Sequence, residues 1–172
     1  MIEKRIAVLE GDGIGPEIMK EGIKVLKAVA SKYRCDEHKF DLEYADFGAE
    51  AYFKHGHAFP KETVDTCDRA DAILKGPVGL DVKRMSEIPV DKRPEAAALL
   101  PLRKRYDTFA NFRPVKLPYC LIDSSPLKSR LLEDNVNMIV ENGIDIMMIR
   151  ELVGGIYFGE KIEGNTTGMA YA

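Results

Sequence analysis

Short apolar runs alternate with segments of helical periodicity along the chain. The run from Arg5 to Leu9 ends at a glycine loop, and the segment after Pro16 carries apolar residues at helical spacing. The further predicted strands are Phe40–Phe47, Ala72–Leu74, Thr108–Leu117 and Ile144–Ile149, and the further predicted helices are Lys61–Arg69, Ala96–Tyr106 and Leu131–Glu141. Strands and helices in alternation predict an α/β fold with a mainly parallel sheet and flanking helices.

The sequence also predicts a long loop, a buried strand and three exposed histidines. Residues Gly79 to Pro94 are polar and contain proline, which predicts a long loop of the kind that often lines a site. Residues Ile144 to Ile149 are almost uniformly apolar, which predicts a buried strand ending at Arg150. His38, His55 and His57 stand in polar contexts, so we expect them to face solvent and to form no catalytic triad.

Composition narrows the class of protein. The 172 residues are 45% hydrophobic, and 25 basic against 28 acidic residues give a net charge of −3. These charges are interspersed, which gives no electrostatic case for nucleic acid. No apolar run reaches the length of a membrane span, and the N-terminus enters a strand pattern at once, so a cytoplasmic protein is expected. Three distant cysteines without a CxxC pair disfavour a zinc site.

The glycine loop from Gly11 to Pro16 follows the first predicted strand and leads into a helix. Backbone amides in such loops approach phosphates, but the last glycine of a dinucleotide fingerprint would stand where Pro16 is. The match to a dinucleotide fingerprint therefore fails in detail. A tight turn between strand and helix is the favoured explanation of the glycines.

Three arginines and a tyrosine are the strongest chemical signal. Arg103, Arg113 and Arg150 lie where predicted elements alternate with loops, and Tyr157 follows in a glycine-rich segment. An arginine fork binds a carboxylate through two charge-assisted hydrogen bonds, so a converging set suits a small dianion or trianion, and a nearby phenol is a candidate proton donor. Solvated surface arginines are the alternative for any one of them.

Three ordered segments resemble one family. LEGDGIGPEI, RPEAAALLPLRKRYDTFANFRPVKL and IRELVGGIYFGE are similar to the N-terminal half of the β-decarboxylating dehydrogenases, the isocitrate and isopropylmalate dehydrogenase family. The resemblance implies a partial, truncated form of that fold. Residues 1–107 would belong to the first α/β domain, and residues 108–172 would begin the second, dimerisation domain.

The resemblance also implies a chemistry. Arg103, Arg113 and Arg150 would hold the carboxylates of a 2-hydroxy dicarboxylate substrate, and Tyr157 would protonate the enol left after decarboxylation. The segment LLPLRK resembles the isopropylmalate branch, where Leu99 and Leu100 would pack an isopropyl group. An NAD-dependent oxidative decarboxylation of 3-isopropylmalate in leucine biosynthesis is therefore expected.

Cofactors follow from the same resemblance. Ile14, Gly79 and Glu95 would lie near the nicotinamide end of NAD. Mg²⁺ or Mn²⁺ would assist decarboxylation, but its ligands and the catalytic lysine are expected beyond Ala172. Family members are homodimers, so a homo-oligomer is expected, with no nucleic-acid or membrane partner.

Two alternatives stay open. A D-malate or tartrate dehydrogenase of the same family would accept a smaller side chain beside Leu99 and Leu100. A non-catalytic assembly module is the alternative from a different class. For the chain by itself, we expect no oxidation of 3-isopropylmalate, and we expect self-association through unpaired sheet edges.

Overall fold

The computed structural model describes residues 2–32, 38–126, 144–154, 161–163 and 168–170. The chain forms two compact units, Met1–Leu102 and Arg103–Ala172. The boundary after residue 107, which the resemblance implies, concerns the domains of the family and stays a prediction. In the described part of the chain, no helix combines the length and the apolar character needed to cross a bilayer.

A parallel sheet of three strands organises the first unit. The strands β1 (Ile2–Leu9), β2 (His38–Tyr44) and β3 (Ala72–Lys75) lie in the order β2–β1–β3. Central β1 pairs in parallel with both neighbours, and Ile6 lies opposite Leu42 on one side and Ala72 on the other. The run from Ile6 to Leu9 is buried, because a central strand covered on both faces exposes neither set of alternating side chains.

Helix α1 (Gly15–Lys32) covers one face of this sheet. Pro16 fits its first turn because the missing N–H would have no partner inside the helix. Buried side chains of β1 and α1 form one core cluster, made of Ile6, Val8, Met19 and Ile23. Partly buried residues of α1, β2 and β3 pack against this cluster, namely Leu26, Phe40, Leu42 and Leu74. The helix was predicted, but its core-facing side is formed by Met19, Ile23 and Leu26. Of the apolar positions that indicated the helix, Ile18, Val25 and Val29 are exposed.

Helices α2 (Ala49–His55) and α3 (Lys61–Arg69) connect β2 to β3. Helix α2 was not predicted from the sequence, because seven residues give too little periodicity to recognise. It ends at Gly56, which adopts a left-handed conformation at φ 76°. Helix α3 begins after Pro60, as predicted, and contacts β1. Right-handed crossovers with this strand order place α1 and the α2–α3 connection on opposite faces of the sheet.

The segment from Gly79 to Pro94, predicted as a long loop, contains two short helices. These are α4 (Val82–Met85) and a 3₁₀ turn at Val90–Lys92. Asp81 caps α4 by accepting hydrogen bonds from two backbone amides, an interaction whose short range made it hard to recognise among polar residues. A π-helical turn at Glu95–Leu99 then leads directly into α5 (Leu100–Arg105).

The second unit contains an antiparallel pair of strands. Strands β4 (Ala110–Leu117) and β5 (Ile144–Glu151) pair along their full lengths, and a 3₁₀ turn follows β4 at Tyr119–Ser124. A second, shorter antiparallel pair joins β6 (Lys161–Glu163) and β7 (Gly168–Ala170). The predicted helix Leu131–Glu141 lies outside the described residues.

One expectation about this unit was wrong. Residues Ile144 to Ile149 were predicted to be buried, but β5 is exposed along almost its whole length. The apolar run correctly indicated a strand, but burial needs a covering layer, and among the described residues β5 has only β4 beside it.

Candidate functional site

The loops after β1 and β3 meet at the carboxyl edge of the parallel sheet. With the order β2–β1–β3, the chain leaves β1 toward one side and returns on the other, so the topological switch point lies between β1 and β3. The Gly76 amide donates to the Leu9 carbonyl over 2.8 Å, and the Asp12 amide donates to the Pro77 carbonyl over 2.9 Å. Ligands of open α/β sheets bind at such a point.

Asp12 is the buried polar centre of this junction. Its carboxylate accepts hydrogen bonds from the amides of Ala49 at 2.8 Å, Glu50 at 2.9 Å and Gly79 at 2.7 Å. The residue is only 2% exposed. A buried carboxylate is tolerated when hydrogen bonds replace its hydration, and these three amides do so.

The three residues predicted near a cofactor lie around this junction. Ile14 lies in the glycine loop and is 61% exposed, and Gly79 follows β3 and adopts φ 112°. A Cβ built on Gly13 would lie 3.7 Å from the Gly79 carbonyl oxygen, and one built on Gly79 would lie 3.4 Å from Glu95 Oε1. The two loops and the Glu95 side chain are therefore neighbours, and Gly13 and Gly79 leave their backbone open to a ligand.

Leu99 and Leu100 lie at the join between the π-helical turn and α5. Both side chains are half-buried. The Leu100 amide donates to the Glu95 carbonyl, five residues back, so the π turn places Leu100 one helical turn beyond Glu95. Single π turns occur frequently at functional sites.

Arg113 and Arg150 share one face of the β4–β5 pair. Asn111 lies opposite Arg150, and Arg113 lies opposite Met148, so the two arginines are diagonal neighbours. Diagonal neighbours on one face lie about 7–8 Å apart, within reach of long side chains. Both are exposed, and in the described part of the chain neither has an ion pair. Two adjacent unpaired cations form a surface that suits a dianion.

Of the other two predicted site residues, the structure describes Arg103 but not Tyr157. Arg103 is a half-buried residue of α5, and its carbonyl accepts from the Thr108 amide at 3.1 Å and the Thr108 hydroxyl at 3.3 Å. These bonds join the backbone of Arg103 to Thr108 within the second unit. Tyr157 lies outside the described residues, so its predicted role stays a prediction.

A separate cavity of about 360 Å³ opens at the carboxyl ends of β1 and β2. Asp46, Lys54 and His55 line it, together with Val8, Glu10, Tyr44, Ala45, Pro60, Glu62, Thr63 and Thr66. None of the predicted site residues is among them. The cavity lies away from the switch point, and the loops that meet at that point identify the better candidate site.

The described residues offer no evident metal centre. Among them, no group of three or more His, Cys, Asp or Glu side chains is arranged to hold an ion.

Comparison with known proteins identifies the family. The sequence profile of the isocitrate/isopropylmalate dehydrogenases matches residues 5–172. The chain belongs to this family. The resemblance drawn from the three sequence segments is thus confirmed, and so is a fold of isocitrate/isopropylmalate dehydrogenase type.

Curated relatives point to one branch of the family. A 3-isopropylmalate dehydrogenase from Symbiobacterium thermophilum is 50% identical over 157 residues, which are 90% of this chain and 38% of the relative. The 3-isopropylmalate dehydrogenases of Buchnera aphidicola subsp. Uroleucon obscurum and of Campylobacter jejuni are 46% and 43% identical to it over 91% of the chain. The chain spans about two fifths of the length of these relatives.

Solved structures agree with the fold. A protein from Thermus thermophilus superposes on 98% of the chain with a TM-score of 0.66 at 28% identity, and the match covers 28% of that protein. A β-decarboxylating dehydrogenase from Thermococcus kodakarensis superposes on 98% of the chain with a TM-score of 0.61 at 26% identity, over 40% of its own length. The parallel sheet and its helices therefore follow the fold of the family.

Sequence reasoning missed Asp12. It lies between two glycines, where the residues indicated a turn and gave no signal of a buried hydrogen-bonding centre. The available clue was Gly48, which precedes α2 without a side chain to cap it, so that the first amides of α2 need an acceptor from elsewhere.

Proposed function

We propose that the chain provides the N-terminal part of an NAD-dependent 3-isopropylmalate dehydrogenase. Such an enzyme oxidises and decarboxylates 3-isopropylmalate to 4-methyl-2-oxopentanoate in leucine biosynthesis. The observation that carries the proposal is the 43–50% identity over nine tenths of the chain to relatives with that name. We further propose a cytoplasmic homodimer.

The arginines hold the substrate. Arg113 and Arg150, adjacent on one face of the β4–β5 pair, each present a planar fork to a carboxylate, and Arg103 supplies a third. Their unpaired charges in the described part of the chain support this assignment. Fixing both carboxylates also fixes the hydroxyl-bearing carbon between them, which orients the bond that is oxidised.

Leu99 and Leu100 select the side chain of the substrate. An isopropyl group packed against two leucines gains about 0.8 kcal/mol for each buried CH₂ group. D-malate has no such group, and its binding would leave this apolar surface in contact with water. The pair therefore favours 3-isopropylmalate over smaller 2-hydroxy dicarboxylates.

NAD binds at the switch point in this proposal. Ile14 and Gly79 provide an exposed apolar side chain and an open backbone there, and Glu95 lies beside Gly79. NAD held by these residues would supply the acceptor for the hydride of the secondary alcohol. Tyr157 then donates a proton to the enol carbon from which CO₂ has departed.

In this proposal, the metal ligands and the catalytic lysine belong to segments of the family members that this chain does not span. The described residues do not provide a ligand set for Mg²⁺ or Mn²⁺. We accordingly propose that the 172-residue chain by itself does not oxidise 3-isopropylmalate.

A chimera tests the proposal. In it, this chain replaces the corresponding segment of the Symbiobacterium thermophilum relative, and NADH formation is measured with 3-isopropylmalate and with D-malate. We expect turnover of 3-isopropylmalate with a kcat/KM at least about tenfold above that for D-malate, and no NADH formation by the chain alone. Arg113→Lys and Arg150→Lys should each lower kcat/KM about tenfold or more, since a hydrogen bond to a charged group contributes about 1.5–3 kcal/mol.

Arg69→Lys is the matched control, because Arg69 is an exposed arginine paired with Glu43 in the first unit. It should leave kcat/KM unchanged. Preference of the chimera for D-malate would support the alternative dehydrogenase. A folded but inactive chimera would support the non-catalytic module.

A further inference from the structure

We propose that Asp12 is a positioning residue that fixes the loop at Gly79 against the glycine loop, and so holds one wall of the switch-point site in place. The identity of the ligand at that wall rests on the proposed function. The positioning itself rests on the contacts of Asp12 alone.

The carboxylate joins three segments that are distant in sequence. Asp12 belongs to the loop after β1, Ala49 and Glu50 begin α2, and Gly79 lies in the loop after β3. Its Oδ2 accepts from both Ala49 and Gly79, so one oxygen connects α2 with the site loop. Because the acceptor is charged and buried, each of these bonds is stronger than a neutral surface bond.

The carboxylate of Asp12 occupies the space that a side chain at position 48 would need. Gly48 adopts φ 102°, and a Cβ on it would contact the Asp12 carboxylate at 2.5–2.7 Å. The absence of a side chain at Gly48 therefore makes room for Asp12 at the start of α2. Asp12 performs the capping that a residue at position 48 would otherwise provide.

A second contact fixes the far end of the same segment. Arg84 in α4 forms a forked ion pair with Glu50, with distances of 2.6 and 3.2 Å, and lies 5.1 Å from the centre of the Phe53 ring. The segment from Gly79 to α4 is thus attached to α2 at both ends. Asp12 provides the buried attachment, and Glu50 provides the exposed one. The side chain of Asp12 acts on the site through the backbone of Gly79.

Amide hydrogen exchange of the 172-residue chain tests the inference without any substitution. The Gly79 amide lies outside helix and strand, and its only route to protection on this proposal is Asp12. We expect it to exchange at least about a hundredfold more slowly than an unprotected amide, with the same denaturant dependence as the Ala49 amide. An unprotected Gly79 amide would overturn the inference.

Asp12→Asn is the corresponding variant, because it preserves shape but turns an NH₂ group toward an amide donor. Exchange at Gly79 and Ala49 should accelerate at least about tenfold while Ala7 and Val8 in β1 stay unchanged. Asp81→Asn, which removes the charge of the α4 cap, should leave Gly79 unchanged. Unchanged exchange at Gly79 in Asp12→Asn, or equal acceleration in β1, would contradict the positioning role.

An NADH titration separates this inference from the proposed function. In the unsubstituted chain, NADH should shift the amide signals of Ile14 and Gly79, and in Asp12→Asn the shift should need at least about tenfold more NADH. No response in either protein would count against the cofactor assignment, and the exchange data would still decide the role of Asp12. Equal affinity in both proteins would mean that the position of Gly79 has no influence on the site, which overturns the inference.

Discussion

Among the glycines that the structure describes, Gly11 leaves the least room for a side chain. It adopts φ 76°, and a Cβ placed on it would overlap the carbonyl oxygen of Pro77. Gly22 differs in both respects, because it lies within α1 and a Cβ there would meet open space. Two glycines of the same chain thus have opposite requirements.

We expect Gly11→Ala to lower the free energy of unfolding by about 2 kcal/mol or more, through backbone strain and overlap. Gly22→Ala, the matched control, should raise it by about 0.5–1 kcal/mol, since alanine is the better helix former. Urea unfolding measures both. Equal effects of the two substitutions would contradict this account of the β1–β3 junction.

Asp46 provides a pH-dependent contribution to stability. Hydrogen bonds from His55 Nε2 at 2.7 Å and Lys54 Nζ at 2.6 Å lower the pKa of the Asp46 carboxyl below its ordinary value of 3.8. A carboxyl whose pKa is lowered by folding stabilises the fold above its unfolded pKa and loses that effect as the pH falls through the folded pKa. The carboxyl is 44% exposed, so solvent screening keeps the effect small.

Asp46→Asn should therefore reduce stability at neutral pH and have no effect well below pH 3.8. Urea unfolding across a pH series gives the difference between the two proteins. Asp65→Asn, at an exposed position in α3, serves as the control. A difference that persists unchanged at acid pH would exclude the ionised Asp46 as its source.

At the scale of elements, Thr63 attaches α3 to the end of β2. Its hydroxyl donates to the Asp46 carbonyl at 2.6 Å, and the residue is 2% exposed. Thr63→Val keeps the shape but removes the donor, so we expect a loss of about 1–2 kcal/mol in the free energy of unfolding. Thr63→Ser keeps the hydroxyl and should cost only about 0.8 kcal/mol for the lost methyl group. A serine variant that is less stable than the valine variant would show that packing outweighs this bond.

For the whole molecule, the exposed β4–β5 pair determines the expected behaviour in solution. Phe112 and Ile149 lie opposite each other and are each 63% exposed, and Val115, Ile146, Met147 and Met148 are exposed as well. Contiguous apolar surface of this kind favours association, as do the outer edges of β4 and β5, which pair with no third strand among the described residues. We expect the 172-residue chain to self-associate.

Light scattering coupled to size exclusion measures this association. The double variant Phe112→Thr and Ile149→Thr keeps residues that suit strands and should shift the chain toward monomer. Val25→Thr with Val29→Thr, on the exposed side of α1, provides a control that removes apolar surface elsewhere. A monomer peak for the unsubstituted chain would contradict the expectation, and equal effects of both double variants would mean that the β4–β5 pair has no special part in association.

The sequence by itself determined the elements that depend on neighbouring residues and the family to which they belong. Strand β1, helix α1 and helix α3 were predicted because their apolar periodicity and their Gly and Pro boundaries are local signals. The three family segments are equally local. The cofactor, substrate and metal assignments that followed from them stay predictions, as does the role of Tyr157.

Tertiary structure decided what depends on residues far apart in the chain. The shared face of Arg113 and Arg150 follows from strand register, which a sequence does not state. The exposure of Ile144 to Ile149 depends on which layers cover β5, and the role of Asp12 depends on Ala49 and Gly79 reaching one carboxylate. Local patterns specify helices and strands, whereas burial, register and buried hydrogen bonds arise only when distant segments meet.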